Sequence, residues 1–420
     1  MAEPLYIGID LGTSGARAIA MGGDGNVAGE AAFAMADFGE NRRDPAVWKQ
    51  VTDAALVGVL AQIDRKNVVA ICIDGTSGTM LPIDASGTPL SQGRMYNDVC
   101  EDASLLDIIA RHAPQESAVH GASSGLAKAL IFQRDFAPHK VVHQADWLAG
   151  NLCGVYSSDD NNALKTGYDP VAGCWPDWMA NTGLDMALLP VVQHPGTPVG
   201  RLQPAIAAEF DLPEAVQIVA GTTDGCASFL ATGAEEVGDG VTALGTTLTL
   251  KILSDVPVFD PASGVYSHHI LGKWLAGGAS NTGGNVLAAH FTNDELAKLS
   301  NRIDPTQDCG LDYYPLTKPG ERFPVADPDL PPVMIPVPAD RALFLQGILE
   351  GIAAIEARGY ARLAELGAPK LRCLRTVGGG ANNPVWSRIR NRYLNTDMQP
   401  AAHNQAAYGA ARLARYGVGR

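Results

Sequence analysis

The chain has little positive charge and contains no long apolar run. Its 31 lysines and arginines are outnumbered by 45 aspartates and glutamates, which gives a net charge of −14 at pH 7. A face that binds nucleic acid needs a basic patch, and no local cluster of Lys and Arg supplies one. No apolar run approaches the ~20 residues that cross a bilayer. The composition therefore argues against nucleic acid and membrane as partners.

Cysteine is scarce and is not arranged in pairs. Seven cysteines are scattered along the chain, and none forms a C-x-x-C motif. This pattern predicts free thiols in a reducing compartment and excludes a disulfide framework or a cysteine zinc site. The sequence opens on Met-Ala-Glu-Pro, without a basic region followed by an apolar one. We therefore expect no signal peptide and a cytoplasmic location.

The length and the internal pattern indicate two domains. A chain of 420 residues exceeds one ordinary core, and 46 % hydrophobic with 18 % charged residues is typical of a globular protein. A strand–turn–strand pattern near the start recurs at 241–252. We predict two structurally similar halves, residues 1–216 and 217–420.

The opening stretch, residues 5–20, predicts a hairpin with a phosphate-sized turn. An apolar run ends at Asp10, and a loop of glycine and hydroxyl residues leads into a second strand. Gly12 and Gly15 permit a tight turn and a close approach to a ligand, and successive backbone N–H groups in such a turn bind anions. Asp10 could hold a hydrated Mg²⁺. An ordinary hairpin whose aspartate caps the turn stays open as an alternative.

The coarse pattern predicts mixed α/β structure throughout. Helices are expected from about Asp44, over 144–150, over 226–233, over 340–366 and over 406–414. Further strands are expected at 27–35, 68–73, 217–220 and 374–377, and a second strand–turn–strand hairpin at 241–252. The proline-rich stretch 315–338 opposes regular structure. The polar segment 161–169 is either a cleft lining or a surface loop.

Three features together favour phosphoryl transfer. The two hairpins offer phosphate cradles, and the Gly-rich strand end at 378–380 admits a base or a ribose against bare backbone. Asp10 and Asp224, expected in different halves, could face one cleft, with Asp10 serving a metal and Asp224 accepting the proton of an attacking hydroxyl. Alone, Asp224 is equally a helix N-cap and 378–380 a tight turn. Their joint occurrence in this order favours the phosphoryl-transfer interpretation.

The motifs resemble those of a known family. Residues 10–17 resemble the first phosphate motif of the sugar kinase, actin and chaperone ATPase superfamily, and the chain resembles the FGGY carbohydrate kinases over essentially its full length. The other motifs that carry this resemblance, in family order, are Gly221–Gly225 (catalytic base), Leu244–Thr247 (second phosphate motif), Gly320–Arg322 with Pro324, Glu350–Gly351, and Val377–Trp386 (adenosine motif).

The resemblance implies a fold and a set of site residues. It implies an α/β protein with two actin-like (ribonuclease H-like) ATPase domains flanking a central catalytic cleft, with the sugar side and first phosphate motif in 1–216 and the base, second phosphate and adenosine motifs in 217–420. It implies ATP and Mg²⁺ as cofactors, held between the domains. The implied residues are Asp224 as base, Asp10 toward magnesium, Gly12, Thr13, Ser14, Arg17, Gly245, Thr246, Thr247, Gly379, Gly380 and Asn383 toward ATP, and Ser77, Asn97, Asp10 and Asp224 toward the sugar.

The substrate is expected to be a ketopentose. Residues 74–79, 144–148, 162–165 and 310–315 resemble the short D-ribulose kinases, often labelled xylulokinase-like. This implies conversion of D-ribulose to D-ribulose 5-phosphate, with D-xylulose or another ketose or polyol as alternatives. Xylulose kinases usually carry a tryptophan-x-aspartate-x-arginine motif, whereas this chain has Tyr96–Cys100 there. That difference weakens the D-xylulose assignment.

Several alternatives remain at this level. An actin-like ATPase with a conformational output shares the opening motif, and a silent sugar sensor would need neither aspartate. Asn97 is equally a turn-capping residue. The family's first signature is blurred at Gly125–Leu130. The expected assembly is a monomer or a homodimer.

Overall fold

The computed structural model describes residues 3–419 and divides into two compact units. The first unit comprises Met1–Ala231, His268–Gly272 and His403–Arg420, and the second comprises Thr232–Ser267 and Lys273–Ala402. The second unit is therefore inserted into the chain of the first. Among the helices of residues 3–419, none is both long enough and apolar enough to cross a membrane.

The described chain contains strands, α-helices and short 3-10 turns. The strands are β1 (Leu5–Leu11), β2 (Gly15–Gly22), β3 (Val27–Ala34), β4 (Val68–Gly75), β5 (Met80–Ile83), β6 (Lys140–His143), β7 (Ser158–Asp159), β8 (Val192–Gln193), β9 (Pro198–Arg201), β10 (Gln217–Val219), β11 (Asp239–Leu244), β12 (Leu248–Ser254), β13 (Tyr266–Ile270), β14 (Lys273–Ser280), β15 (Cys373–Val377) and β16 (Asp397–Gln399). The α-helices are α1 (Pro45–Leu60), α2 (Ala103–His112), α3 (Gly125–Phe136), α4 (Gln144–Cys153), α5 (Asp160–Leu164), α6 (Pro204–Phe210), α7 (Asp224–Ala231), α8 (Gly284–His290), α9 (Asn293–Ser300), α10 (Arg341–Glu365), α11 (Pro384–Leu394) and α12 (Ala406–Val418). The 3-10 turns are Met35–Asp37, Arg65–Asn67, Asp177–Thr182, Met186–Leu188, Pro261–Ser263 and Gly379–Asn382.

The first unit is built on a six-stranded sheet of order β3-β2-β1-β4-β10-β9. The hairpin β1–β2 is antiparallel, whereas β1 pairs with β4, and β4 with β10, in parallel. The apolar residues of β1 are almost completely buried because α1 and α12 pack against this part of the sheet. The carboxyl ends of three parallel strands therefore meet at one edge, which is where ligands bind in open α/β sheets.

The second sheet has the same pattern, with order β13-β14-β12-β11-β15-β16, and all of it except His268–Ile270 of β13 belongs to the second unit. Its hairpin β11–β12 is antiparallel, β12 pairs antiparallel with β14, and β11 pairs parallel with β15. The long helix α10 begins at Asp340, whose carboxylate accepts a hydrogen bond from the Ala342 amide, and its apolar face joins the core of this unit. The repeat of the hairpin pattern that the sequence predicts is therefore present.

Helix α1 shows how local sequence sets an element. Asp44 accepts a hydrogen bond from the Ala46 amide at 2.9 Å, and Pro45 occupies the first turn, where no amide donor is needed. Trp48 and Val51 then lie in the core of the first unit. The start predicted at Asp44 is confirmed.

The observed division differs from the boundary predicted at residue 216. Strand β10 and helix α7 belong to the first unit because β10 completes its sheet beside β4. The last helix, α12, also belongs to it: a Cβ on Gly8 would lie 2.0 Å from the Ala407 carbonyl oxygen. Such close backbone packing ties residues near both ends of the chain into one core.

Candidate active site

The acids at the sheet edge of the first unit lie on neighbouring strands. Asp10 is next to the last residue of β1, and its partner in the parallel ladder is Asp74 on β4. The next residue, Gly75, bridges in parallel to Thr223, which directly precedes Asp224 at the start of α7. Asp10 and Asp224 therefore both lie in the first unit, and not in different halves as the sequence had led us to expect.

Burial and like charge shape the protonation of this acid cluster. Burial raises the pKa of Asp74 well above its usual range, and the Asp10 and Asp224 charges add to the effect. Burial also raises the pKa of Asp10, and Asp224 raises it further, while Asp74 and Arg17 oppose the rise. Neither buried oxygen of Asp74 receives a hydrogen bond within residues 3–419. Burial is therefore the largest cause of the raised pKa values of both Asp74 and Asp10.

The opening turn follows directly after Asp10. The Gly12 amide donates to the Gly15 carbonyl at 3.0 Å, Thr13 is half-buried and Ser14 is exposed. Neither glycine has a positive φ. Gly15 is required instead for packing, since a Cβ there would lie 2.1 Å from the Phe33 carbonyl oxygen, whereas Gly12 has room for one. The exposed Arg17 lies opposite Asp10 in the antiparallel register of the hairpin.

The residues predicted to contact sugar differ in their surroundings. The Ser77 hydroxyl is buried and has no hydrogen-bond partner among the described residues, in the loop that follows Asp74. A buried hydroxyl without a partner is costly, which suits a group that a ligand completes. Asn97 is exposed. The neighbouring Asp98 pairs with Arg43 and accepts a hydrogen bond from the Met95 amide at 2.9 Å.

Lys128 joins the two loops that carry Ser77 and Asn97. Its side chain is almost completely buried on α3, and its Nζ donates to the Gly78 carbonyl at 2.8 Å and to the Tyr96 carbonyl at 3.3 Å. Desolvation lowers its pKa to about 8. Lys128 thus holds both loops in place, a role that the blurred signature at Gly125–Leu130 did not indicate.

The Gly221–Gly225 segment is held from the side by the polar stretch that the sequence left open. Asn161, on α5, donates its amide to the Thr222 hydroxyl at 2.8 Å and to the His269 carbonyl at 2.9 Å. Asn161 and Asn162 are almost completely buried, and the Asp159 carboxylate accepts hydrogen bonds from both of their backbone amides. This part of 161–169 is therefore not a surface loop, and it positions the segment that carries Asp224.

The second unit presents its own turn between β11 and β12. Gly245 and Thr246 are exposed and Thr247 is half-buried. The Gly284 amide donates to the Gly245 carbonyl at 2.8 Å, and a Cβ on Gly283 would lie 2.8 Å from the Thr246 carbonyl oxygen. The turn is thus braced by Gly283 and Gly284 at the start of α8, with the backbones in near contact.

A cavity of about 880 Å³ opens beside this turn, within the second unit. This volume lies in the range of sites for small molecules and cofactors. Its walls bring together residues of the second phosphate motif and the adenosine motif with apolar side chains of α8 and α9. The predicted residues among its lining are Gly245, Thr246, Gly379, Gly380 and Asn383, and the other lining residues include Leu287, Leu296 and Trp386.

The Gly-rich strand end shapes one wall of this cavity. Gly378 has φ 87°, and a Cβ there would lie 2.6 Å from the Leu244 carbonyl oxygen. A Cβ on Gly379 would meet nothing within 4 Å, so this glycine faces open space. Asn383 caps α11 through its Oδ1 and donates to the Ser300 hydroxyl at 2.9 Å. Its side chain therefore supports the wall of the cavity.

Two further landmarks have structural partners. Glu321 accepts hydrogen bonds from the Ser280 hydroxyl at 2.5 Å and from the Asn281 amide at 2.7 Å. Glu350 forms an ion pair with Arg392 at 2.6 Å, and it accepts a hydrogen bond from the Cys309 backbone amide at 3.1 Å. Both acids fasten segments of the second unit.

The fold and the site define a class of protein. Both units have the sheet and hairpin pattern of actin-like (ribonuclease H-like) ATPase domains, and the model of the FGGY family of carbohydrate kinases matches the chain over residues 5–116 (N-terminal domain) and 240–418 (C-terminal domain). These two matches together cover well over half of the sequence. The chain belongs to the FGGY family of carbohydrate kinases.

Known proteins of this family resemble the chain along nearly its whole length. It is 26 % identical to the xylulose kinase of Klebsiella pneumoniae over 445 aligned positions, covering 99 % of this chain and 90 % of that protein. The structure described as a "xyloylose kinase" from Brucella ovis matches with a TM-score of 0.84 at 25 % identity, covering 99 % and 91 % of the two chains. The xylulose kinase of Rhodospirillum rubrum has the same TM-score at 22 % identity, with 98 % and 90 % covered, which shows the fold.

These comparisons confirm the predicted family, the two-domain actin-like fold and the enzyme class. The chain is a carbohydrate kinase, a phosphotransferase, and kinases of this family use ATP. The assignment to this family sets aside the interpretation as an actin-like conformational ATPase. The roles of the individual residues and the identity of the sugar remain predictions.

Proposed function

We propose that the chain transfers the γ-phosphoryl group of ATP to the terminal hydroxyl of a ketopentose, with D-ribulose as the preferred acceptor. The observation that carries this proposal is the grouping of Asp10, Asp74 and Asp224 at one sheet edge, next to a buried Ser77 hydroxyl without a partner. Acids at this edge and an unsatisfied hydroxyl suit a polyhydroxylated ligand whose own hydroxyl groups donate and accept.

Asp224 is the proposed general base. As the sugar hydroxyl attacks the γ-phosphorus, its proton passes to the Asp224 carboxylate, a new O–P bond forms, and the bond to the β-phosphate oxygen breaks to release ADP. The Gly225 amide donates to Asp224 Oδ1 at 2.7 Å, which orients the carboxylate. Asn161, through Thr222, fixes the preceding backbone.

The acid cluster also fits the cation that accompanies ATP. Its donors are all carboxylate oxygens, which Mg²⁺ prefers, and the two buried oxygens of Asp74 lack hydrogen bonds. We propose that Asp10 holds the ion, which would neutralise phosphate charge. Burial raises the pKa of Asp74 well above its usual range, and a protonated Asp74 would leave one net charge fewer in the cluster.

Nucleotide binding is assigned to both turns and the cavity. We propose that the backbone of Gly12–Ser14 and of Gly245–Thr247 contacts phosphates, with Arg17 nearby, and that the adenosine enters the cavity against Gly379 and Gly380. The open space at Gly379 supports this assignment. Asn383 acts there by supporting the wall.

D-xylulose is the second candidate acceptor, because the relatives are named xylulose kinases. Tyr96–Cys100 favours D-ribulose, since the arginine of the xylulose-kinase motif is absent and Asp98 pairs instead with the distant Arg43. The two pentuloses differ in the orientation of one hydroxyl group, which a single pocket residue can discriminate.

The test is a coupled ADP-release assay with D-ribulose, D-xylulose, L-ribulose, ribitol, glycerol and gluconate at matched concentrations. We expect D-ribulose to give the highest kcat/KM and mass spectrometry to show phosphate on its terminal carbon. A higher kcat/KM for D-xylulose would transfer the assignment to the second candidate. Absence of turnover with every sugar would contradict both.

A further inference from the structure

Outside the acid cluster, two imidazoles converge on one buried carboxylate in the first unit. Asp160, the first residue of α5, is 1 % exposed, and its Oδ2 lies 2.6 Å from His194 Nδ1 and 3.0 Å from His269 Nδ1. The two rings are inclined at 61° with centroids 4.4 Å apart. His194 follows β8, and His269 lies in the His268–Gly272 segment. Three separate segments thus deliver three possible metal ligands to one point.

No lysine or arginine side chain of the described chain compensates the charge of Asp160. Among residues 3–419, no lysine or arginine forms an ion pair with Asp160. A buried carboxylate requires charge compensation as well as hydrogen bonds, and a divalent cation held by Asp160 and the two imidazoles would supply that compensation. The ordinary alternative is a hydrogen-bonded triad in which both imidazoles donate to Oδ2.

The donor set selects the kind of cation. Two imidazole nitrogens with one carboxylate oxygen match Zn²⁺ and its neighbours in the first transition row, whereas Mg²⁺ and Ca²⁺ prefer oxygen alone. All three ligand atoms lie within 4.8 Å of one another. Metal–ligand bonds of about 2.0–2.2 Å in a tetrahedron place ligand atoms about 3.3 Å apart. The two separations of 2.6 and 3.0 Å between Asp160 Oδ2 and the histidine nitrogens therefore need to open by less than about 1 Å.

We infer that Asp160, His194 and His269 form a binding site for a Zn²⁺-class divalent cation, with water as the fourth ligand. His194 is 62 % exposed, which provides an entry path and the freedom to adjust. The site differs from the acid cluster of Asp10, Asp74 and Asp224 because it offers two imidazole nitrogens, whereas that cluster offers carboxylate oxygens alone. It is linked to that cluster through Asn161, which hydrogen-bonds both to the His269 backbone and to Thr222.

The second grouping of possible metal ligands in the described chain is a poorer candidate. Asp308, Cys309 and Glu350 also lie close together. However, the Glu350 carboxylate already forms an ion pair with the Arg392 guanidinium at 2.6 Å and accepts a hydrogen bond from the Gln346 side-chain amide at 2.9 Å. A cation there would have to displace a permanent positive charge, so the negative charge of Glu350 is already matched.

The test is a titration of the metal-stripped full chain with Co²⁺, followed by displacement with Zn²⁺, in the absence of sugar and ATP. We expect one equivalent to give the visible bands of tetrahedral Co²⁺ without a thiolate charge-transfer band. His194→Ala and His269→Ala should each weaken binding by at least about tenfold. His139→Ala, which removes an exposed imidazole elsewhere in the first unit, should bind like the wild type.

Equal affinities for the wild type and His194→Ala would overturn the inference and leave the hydrogen-bonded triad. A thiolate charge-transfer band would also overturn it, since a cysteine would then be the ligand. Because His194 is largely exposed, its variant is expected to fold, and circular dichroism checks this. Metal binding is read without turnover, so failure of the proposed kinase function would not affect the result.

Discussion

The hairpin of the first unit and that of the second share a backbone plan but differ in charge. Each has a three-residue turn, one antiparallel neighbour beyond its second strand and one parallel neighbour beside its first. Two residues before the turn, the parallel pair is Asp10 with Asp74 in the first unit and Ala243 with Val377 in the second. One scaffold thus presents acids and the other presents an apolar edge beside a cavity.

The two units also treat a buried acid differently. Glu356 in the second unit is fully buried and forms an ion pair with Arg390, which donates two hydrogen bonds of 2.6 Å to it. The Thr242 hydroxyl donates a third. Asp74 in the first unit is equally buried and has no cationic partner. A carboxylate that serves the fold is matched by a cation, whereas an acid without one is available for chemistry.

The largest effect is expected from Asp224→Asn. An amide cannot accept the hydroxyl proton, so kcat should fall about 10²–10⁴-fold, the usual contribution of a positioned base. ATP affinity, measured by calorimetry, should change little. Asp107→Asn, at an exposed position of α2, is the matched control and should keep full turnover. Undiminished turnover in Asp224→Asn would remove the base from the mechanism.

The contrast between the buried acids is tested by two amide substitutions. Glu356→Gln leaves Arg390 buried without its counter-charge and should lower the free energy of unfolding by about 3–5 kcal/mol. Asp74→Asn removes an unpaired buried acid and should leave stability unchanged or higher while it lowers kcat. Chemical denaturation of both variants measures this, and a large loss of stability in Asp74→Asn would show that the acid serves the fold.

The cavity wall is tested by two neighbouring glycines. Gly380→Ala places a Cβ 2.5 Å from the Trp386 ring and should cost about 1–3 kcal/mol of stability. Gly379→Ala meets no atom within 4 Å and should fold normally, yet it should raise the KM for ATP, with the KM for sugar unchanged. An unchanged KM for ATP in Gly379→Ala would place the nucleotide elsewhere.

The smallest effect is expected from Lys128→Met. Loss of the two contacts to Gly78 and Tyr96 should raise the KM for sugar about fivefold, which corresponds to about 1 kcal/mol. The KM for ATP should stay unchanged, and Lys128→Arg should restore part of the sugar affinity. Equal increases in both KM values would indicate general loosening of the fold.

Lys128 also predicts a pH dependence. Desolvation lowers its pKa in the folded chain to about 8, although Asp98 opposes this shift, and the unfolded value is about 10.4. Between these values the unfolded chain binds the extra proton, so the stability of the wild type should rise with pH relative to Lys128→Met. Denaturant titrations at pH 7, 8, 9 and 10 measure the difference, and a constant difference would contradict the prediction.

The sequence was sufficient for features that local pattern determines. The hairpins at 5–20 and 241–252 were predictable because apolar runs flank Gly and hydroxyl turns, and Asp10 and Asp224 because they stand where strands end. Asp74 also stands near the end of a strand, at the start of the motif at 74–79, but only the strand pairing shows that it lies beside Asp10. The pairing of parallel strands depends on distant residues, which a linear pattern does not report.

Other features depend on contacts between remote segments. The sequence does not reveal the role of Lys128, because the two carbonyl groups that it contacts are 50 and 32 residues away along the chain. Arg43 with Asp98, and Asp160 with His194 and His269, are likewise joined only by folding. The predicted boundary near residue 216 was wrong because β10 belongs to the first sheet and α12 packs against that sheet.

The packing of α12 on β1 has a consequence for the order of synthesis. The Tyr408 hydroxyl donates to the Gly25 carbonyl across 383 residues, and a Cβ on Gly409 would lie 1.8 Å from the Ala227 carbonyl oxygen. Strand β1 is therefore synthesised well before α12, and its core closes only once α12 has been made. The inserted unit has all its residues earlier, so it can fold while its host is still incomplete.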